Sequence, residues 1–387
     1  MRVFKAPNPL ENNSPHNAPM DIVIIGLSIT SSWGNSHATT YRGLTRELTR
    51  RGHSALFLER DRPWLRDNRD LPHPPYCRTE IYSNLEDLKD RFTPNVRQAD
   101  LVIVGSYVAA GAAIGEWVTD TARGATAFYD PDTPVTLAKL KRGDLDYLSY
   151  ALISRYDLYL SGAGGPTLDL IERKLGSPMA RALYCSVDPE LYYPDPAESG
   201  AAADVKWDLG YLGTYSADLQ PALDRLMLEP ARWWKQARMI IAGSQYPKTI
   251  QWPPNVEPAH HPDPGRRRAF YNAQRFTLNL TRADMVAADY SPSARLFEAA
   301  ACATPIISDW WNGLETLFEP GEDVLIAHDT EDTLCYLRDL PEEIRIETGQ
   351  RARARVMSAH TAAHRAVELE THALAALMRK SSMKAKF

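Results

Sequence analysis

Cysteine is scarce in this sequence: Cys77, Cys185, Cys302 and Cys335 are the four in 387 residues, far apart and without CxxC or short Cys/His spacing. That pattern excludes a structural zinc site and points to reduced, mostly buried thiols in a cytosolic protein. An excess of one charge is also missing. A net charge of −5 gives no global reason to expect a nucleic-acid or membrane-surface partner. The uncharged stretch Leu101 to Gly115 is shorter than the roughly 20 residues of a spanning helix, and it contains Ser, Tyr and three glycines. The opening MRVFKAPNPLENNSPHNAP lacks the apolar core of an export signal, so a flexible tail is expected over 1–19.

What is present is an ordinary globular composition: 44% hydrophobic, 24% charged and 9% aromatic residues, which excludes collagen-like, coiled-coil and disordered classes. The length exceeds one ordinary core, so two domains are expected. DIVIIG, Asp21 to Gly26, is a β-branched run suited to a strand buried on both faces. A Ser/Thr/Gly-rich loop follows, then a helical pattern over Tyr41 to Arg51 and a second strand, HSALFLER. This βαβ grammar predicts a parallel sheet, and it continues through ADLVIVGSY, ATAFYD and YDLYLSG. Around residue 186 the alternation stops in a Pro/Ala-rich segment that reads as a linker. It restarts with DLGYLGT, RMIIAGS, FTLNLTR, PIISD and DVLIA.

The expected organisation is an N-terminal Rossmann-like domain over 20–186, a linker over 187–206 and a C-terminal Rossmann-like domain over 207–360. A terminal helix over 361–387, ending in a basic tail, is expected to pack back on the N-terminal domain.

The stretch 278–326 carries the densest chemistry. Ser291 before Pro292 reads as a hydroxyl N-cap followed by Pro at the first helical position. Arg295 and Glu298 then share one helix face. A helix N-terminus with an Arg beside it suits a diphosphate, and a Glu one turn deeper suits a ribose. A surface ion pair between the two is the competing reading. Asp309 and Asn312 follow a parallel strand at its carboxyl end, where α/β proteins bind ligands; a plain turn explains them nearly as well. Glu315 faces the donor sugar or is a first-turn helix acid. Ser31, Ser32, Trp33, Gly34, Asn35 and His37 lie in the loop after the first strand, where His37 is a candidate base.

The segment SPSARLFEAAACATPIISDWWNGLETLFEPGEDVLI resembles the C-terminal motif of GT-B glycosyltransferases, specifically the CgeB-like (spore-maturation-protein) branch near glycosyltransferase group 1/family 4. The likeness extends to SSWGNSHATTYR, YDPDTPVTL, LYCSVDPELYYP, LGYLGTYSADLQP and AHTAAHRAVEL. It implies a GT-B fold, two Rossmann-like domains facing a central cleft, with the nucleotide-sugar donor held by the second. It further implies transfer from a nucleotide-diphosphate sugar, most plausibly UDP-linked, to a hydroxyl acceptor that is a glycan, protein, lipid carrier or metabolite. Retention of configuration, no metal and no separate cofactor belong to the same expectation.

In that family an E-x7-E pair is usual, and Glu298 matches the second Glu while Tyr290 stands at the first. The loop after the first C-terminal strand, GTYSADLQP, lacks the basic residues found in relatives. Arg282 and Arg295 therefore become the expected charge-neutralising pair, with His37 as third catalytic candidate. Gly213, Thr214, Tyr215, Ser291, Ser293, Asp309, Asn312, Gly313 and Glu315 join Glu298 on the donor side. Ser32, Trp33, Gly34, Asn35, His37, Asp130 and Asp132 form the acceptor side. A sugar-nucleotide epimerase and a non-catalytic nucleotide-sugar-binding protein remain alternative readings on the same architecture.

Overall fold

Two parallel sheets follow from the order in which the buried strands are laid down. The computed structural model describes residues 18–33, 35–195 and 205–384. Most of the expected N-terminal tail, the linker core 196–204, Gly34 and the closing 385–387 lie outside the described residues.

The first sheet contains β1 (Asp21–Gly26), β2 (Ser54–Arg60), β3 (Arg78–Tyr82), β4 (Leu101–Gly105), β5 (Ala125–Asp130), β6 (Leu158–Ser161) and β7 (Ala180–Ala182). Its order is β3-β2-β1-β4-β5-β6-β7, and every pairing is parallel. The second contains β8 (Trp207–Leu212), β9 (Met239–Ala242), β10 (Val256–Ala259), β11 (Gln274–Asn279), β12 (Ile306–Ser308) and β13 (Leu325–Ile326). It runs β10-β9-β8-β11-β12-β13, again all parallel. Both orders reverse direction beside their first strand, and such a switch point opens a crevice at the carboxyl ends of the strands.

The period of two along each strand decides which core a side chain enters. Val23 and Ile25 of β1 pack with Val102, Val104 and Phe128 on one face. Ile22 and Ile24 point the other way, toward Leu44, Leu48 and the terminal helix Ala362–Lys384. That helix contributes Ala366, Leu369, Ala373 and Ala376 to the second face. Its small residues allow close approach to the helix Ser36–Arg50: a Cβ on Gly43 would sit 2.9 Å from the Ala362 Cβ.

The segment leaving the first sheet and the segment returning to it run side by side. Val187 bridges Thr361 in parallel, its amide donating to His360 O and its carbonyl accepting from Ala362 N at 3.0 Å. Arg46 of the first helix donates to Asp188 at 2.6 Å, and Arg50 to Glu190 at 2.8 Å. Val187, Asp188 and Tyr192 are buried, so the beginning of the expected linker is packed.

Three local expectations change. The first helix begins at Ser36 rather than Tyr41, because Asn35 caps it by accepting from the His37 amide. The helix just before β12 begins at Ala294, and its cap is Ser293, two residues beyond Ser291. The cysteines are all unpaired, but only Cys302 is buried and Cys335 is exposed. Among the described residues no helix is long and apolar enough to cross a membrane.

Candidate active site

The loop after β1 is built on a buried carboxylate. Glu59, at the end of β2, accepts from Ser28 Oγ, Ile29 N, Thr30 N and Thr30 Oγ1 at 2.7–3.0 Å. Ser32 donates through both amide and hydroxyl to Asp70, which also takes a two-pronged contact from Arg42. Ser31 donates to Asn68 O, and Asn35 donates to Ser31 O. Ser32 and Asn35 are therefore buried struts of the loop. Trp33, 55% exposed, is the member of the set that reaches solvent.

These struts deliver His37 to the first turn of its helix with little freedom. Its ring is buried, with Nε2 3.3 Å from Asp132 Oδ2. The Tyr107 ring packs edge-on against it at 5.3 Å. The other ring nitrogen, Nδ1, is buried and has no hydrogen-bond partner. Asp132 follows β5. Burial opposes its ionisation, but the His37 hydrogen bond and charge, together with the Arg282 charge, hold its carboxyl below the ordinary range.

Asp130, two residues earlier, has a different task. It is fully buried, accepting from Tyr159 OH at 2.6 Å and Thr136 Oγ1 at 2.8 Å. Burial pushes its carboxyl up to about 6. Asp130 thus supports the loop from beneath, and of the two aspartates it is Asp132 that meets His37. Among the described residues no group of three or more His, Cys, Asp or Glu is arranged to hold a metal ion.

Arg282 precedes the helix Ala283–Ala288 of the second half, 3.8 Å from Asp284 and partly exposed. Its charge is felt by both Asp132 and Tyr107 of the first half. Two of the three catalytic candidates, His37 and Arg282, therefore converge through Asp132. Arg295 occupies a separate place. Its guanidinium donates to Leu212 O at 2.7 Å and to Ser293 Oγ at 3.2 Å, over the Tyr211 ring. It lies against the turn at Gly213, where an added Cβ would come within 3.0 Å of Nη1.

The expected phosphate-binding amides of that turn are partly committed. Gly213 N donates to Ala242 O and Tyr215 N to Ser244 O, both at 2.9 Å. The Thr214 hydroxyl lies 3.3 Å from Ser244 Oγ. Tyr211, Thr214, Tyr215 and Tyr246 line a shallow surface depression here.

Glu298 is not the open ribose acceptor that its sequence position suggests. It is 6% exposed, and its two oxygens accept from Tyr192 OH at 3.0 Å and Tyr271 OH at 2.9 Å. Its ionic neighbour is Arg267 at 3.6 Å, so the surface pair with Arg295 does not form. Asp309 is similarly occupied by the amide and hydroxyl of Thr281, and burial raises its carboxyl. Glu315 accepts from the Gly313 amide at 2.9 Å, and Asn312 donates to Asp289 at 3.0 Å. Ser291 is buried.

Tyr290 joins the halves. Its φ of 48° is left-handed, its amide donates to Asn312 O, and its carbonyl accepts from Gly164 N at 3.0 Å. Its ring lies against both Gly165 and Gly313, where added Cβ atoms would come within 2.3 and 2.6 Å of ring carbons. Thr167 Oγ1 adds a contact to Ala288 O at 2.7 Å. The GAGG segment 162–165 is thus a docking surface for Tyr290, a role its sequence does not announce. Tyr107 is the other residue that sequence reasoning misses.

Two Rossmann-like sheets whose carboxyl ends face one cleft define the GT-B fold. Residues 220–371 match a family described as glycosyl transferase-like. The chain is similar to sucrose-phosphate synthase from Thermosynechococcus elongatus at 15% identity and TM-score 0.64, over 91% of this chain and 98% of that one. Anabaena HepE in complex with UDP matches at 12% identity and TM-score 0.68, over 91% and 99%. An alpha-glucosyltransferase in complex with UDP and a 13-mer DNA matches at 11% identity and TM-score 0.66, over 92% and 100%. The fold therefore does not itself exclude a nucleic-acid partner. No curated protein matches the sequence.

Proposed function

We propose that this chain is a glycosyltransferase moving a sugar from a UDP-linked donor to a hydroxyl acceptor. The observation that carries this reading is the His37–Asp132 pair facing the Arg282 charge between the two halves. The glycosyl transferase-like match over 220–371 and the UDP complexes of similar structures support it. A ring nitrogen of His37 takes the acceptor proton, and Asp132 stabilises the resulting imidazolium. Arg282 and Arg295 stabilise the diphosphate as its charge grows, which is the contribution expected to dominate. On this reading neither a metal nor a separate cofactor is needed.

The resemblance to retaining enzymes favours retention. The His37–Asp132 pair leaves a single inverting displacement open. The resemblance of 278–326 supports reading the chain as CgeB-like, and four unpaired thiols suit a reducing cytoplasm. The halves are read as domains hinged at 187–206.

The test is incubation with UDP-sugars alone and with hydroxyl acceptors, followed by NMR of the products. Transfer supports the proposal, and the anomeric configuration decides between retention and inversion. Epimerised donor, or binding without turnover, would support one of the two alternative readings instead.

A further inference from the structure

A second cavity adjoins the His37–Asp132 pair in the first half. A small, open pocket lies at the carboxyl ends of β1, β2 and β4, between Gly26, Arg60, Arg62, Trp64, Tyr107 and Ala109. It lies where the strand order reverses between β1 and β4, the position at which such sheets bind ligands.

Its charge is uncompensated. Among the described residues neither Arg60 nor Arg62 has an acidic partner, and Arg60 is anchored only by Ala109 O at 3.4 Å. The nearby acids are committed elsewhere. Glu59 holds the 28–30 loop, and Asp61 pairs with Arg66 and Arg69. Trp64 stands 47% exposed at the rim, a flat surface for the apolar face of a sugar ring. The wall is strained: Tyr107, which is not a glycine, has a φ of 63°. Tyr107 both lines the pocket and packs on the His37 ring, so one side chain touches both the cavity and the dyad.

We propose that this pocket binds the acceptor, and that the acceptor is a small hydroxyl compound carrying a phosphate or carboxylate. This rests on the transferase reading above. The forked guanidinium groups of Arg60 and Arg62 receive the anion, since that geometry matches either oxyanion. Trp64 covers the ring, and the acceptor hydroxyl is left on the His37 side.

Calorimetric titration of the full chain, with and without UDP, uses glucose 6-phosphate, glucuronate and glucose as probes. At least one anionic sugar should bind about tenfold or more tightly than glucose. That margin should vanish in Arg60→Gln/Arg62→Gln while the UDP dissociation constant stays unchanged. Which anion gains more separates phosphate from carboxylate. Equal affinity for all three sugars, a margin that survives the double substitution, or displacement of the sugars by a short oligonucleotide overturns the proposal. Failure of the unaltered chain to bind UDP counts against the transferase reading instead. Should the double variant fail to fold, Arg62→Gln alone, outside the strand, gives the same comparison.

Discussion

Asp132 Oδ2 lies 3.3 Å from His37 Nε2, linking the loop after β5 to the first turn of the helix after β1. The contact holds the imidazole in one orientation and supplies the negative charge that an imidazolium needs. If His37 is the base, Asp132→Asn should lower kcat by roughly 10²- to 10⁴-fold and leave UDP affinity unchanged. Steady-state kinetics beside calorimetry checks this. A kcat near that of the unaltered chain would remove the dyad from the mechanism.

Arg282→Ala should reduce kcat more than it raises the donor KM, because diphosphate charge peaks as the bond breaks. Arg282→Lys should recover only part, since a point charge cannot make a forked contact. With both arginines supplying the positive potential, turnover should persist in EDTA. Loss in EDTA restored by magnesium or manganese would contradict this division of labour.

Glu298→Ala leaves Tyr192, Tyr271 and Arg267 without their shared acceptor. Removing one partner of a buried charged network costs about 3–5 kcal/mol. The substitution should therefore lower the melting temperature as well as weaken nucleotide binding, with Glu298→Gln intermediate. A variant that melts like the unaltered chain would show that Glu298 is free to serve a ligand alone.

Asp130 gives a pH signature. Its folded carboxyl is raised from 3.8 to about 6, so the folded state holds the proton more tightly than the unfolded chain. The stabilisation is complete below about pH 4 and is lost as pH rises through 6, an effect of the order of 2–3 kcal/mol. Urea titrations from pH 4 to 7 should show this decline in the unaltered chain and its absence in Asp130→Asn. Parallel profiles would mean that Asp130 titrates normally.

Gly165→Ala tests the contact between the halves. The added methyl would collide with the Tyr290 ring, and the backbone at φ 51°, ψ −135° adds strain of roughly 1–3 kcal/mol. The cleft should open, with a larger radius of gyration by X-ray scattering. Tyr290→Ala in the same chain should relieve the collision but not the backbone strain, so the two effects should be non-additive. Simple additivity would mean that the ring does not bear on Gly165.

Much of the fold is legible because buried parallel strands leave a local trace. DIVIIG and ATAFYD are β-branched or aromatic runs, and both form strands over the same residues. The helix Leu85–Gln98 also has its signals: an Asn84 cap accepting from Asp87 N, and Leu88, Phe92 and Val96 four apart. Pro94 inside it disguises the pattern. β10, with Pro258 and mostly exposed residues, has almost no trace, because its place at the sheet edge comes from pairing with β9.

The site divides in the same way. Sequence alone determined the residue types that follow the strands, among them His37, Asp132 and Arg282, since loops after parallel strands face a crevice whatever their content. Only the tertiary structure decided their tasks. His37 and Asp132 are 95 residues apart and meet because the sheet order places β1 and β5 on either side of β4. Glu298 is claimed by tyrosines from two other segments, and Tyr290 is seated by glycines from both halves. A local pattern records the propensity of a segment and the face it buries. It does not record which distant donor will reach a carboxylate first, and that competition assigns each polar side chain to structure or to chemistry.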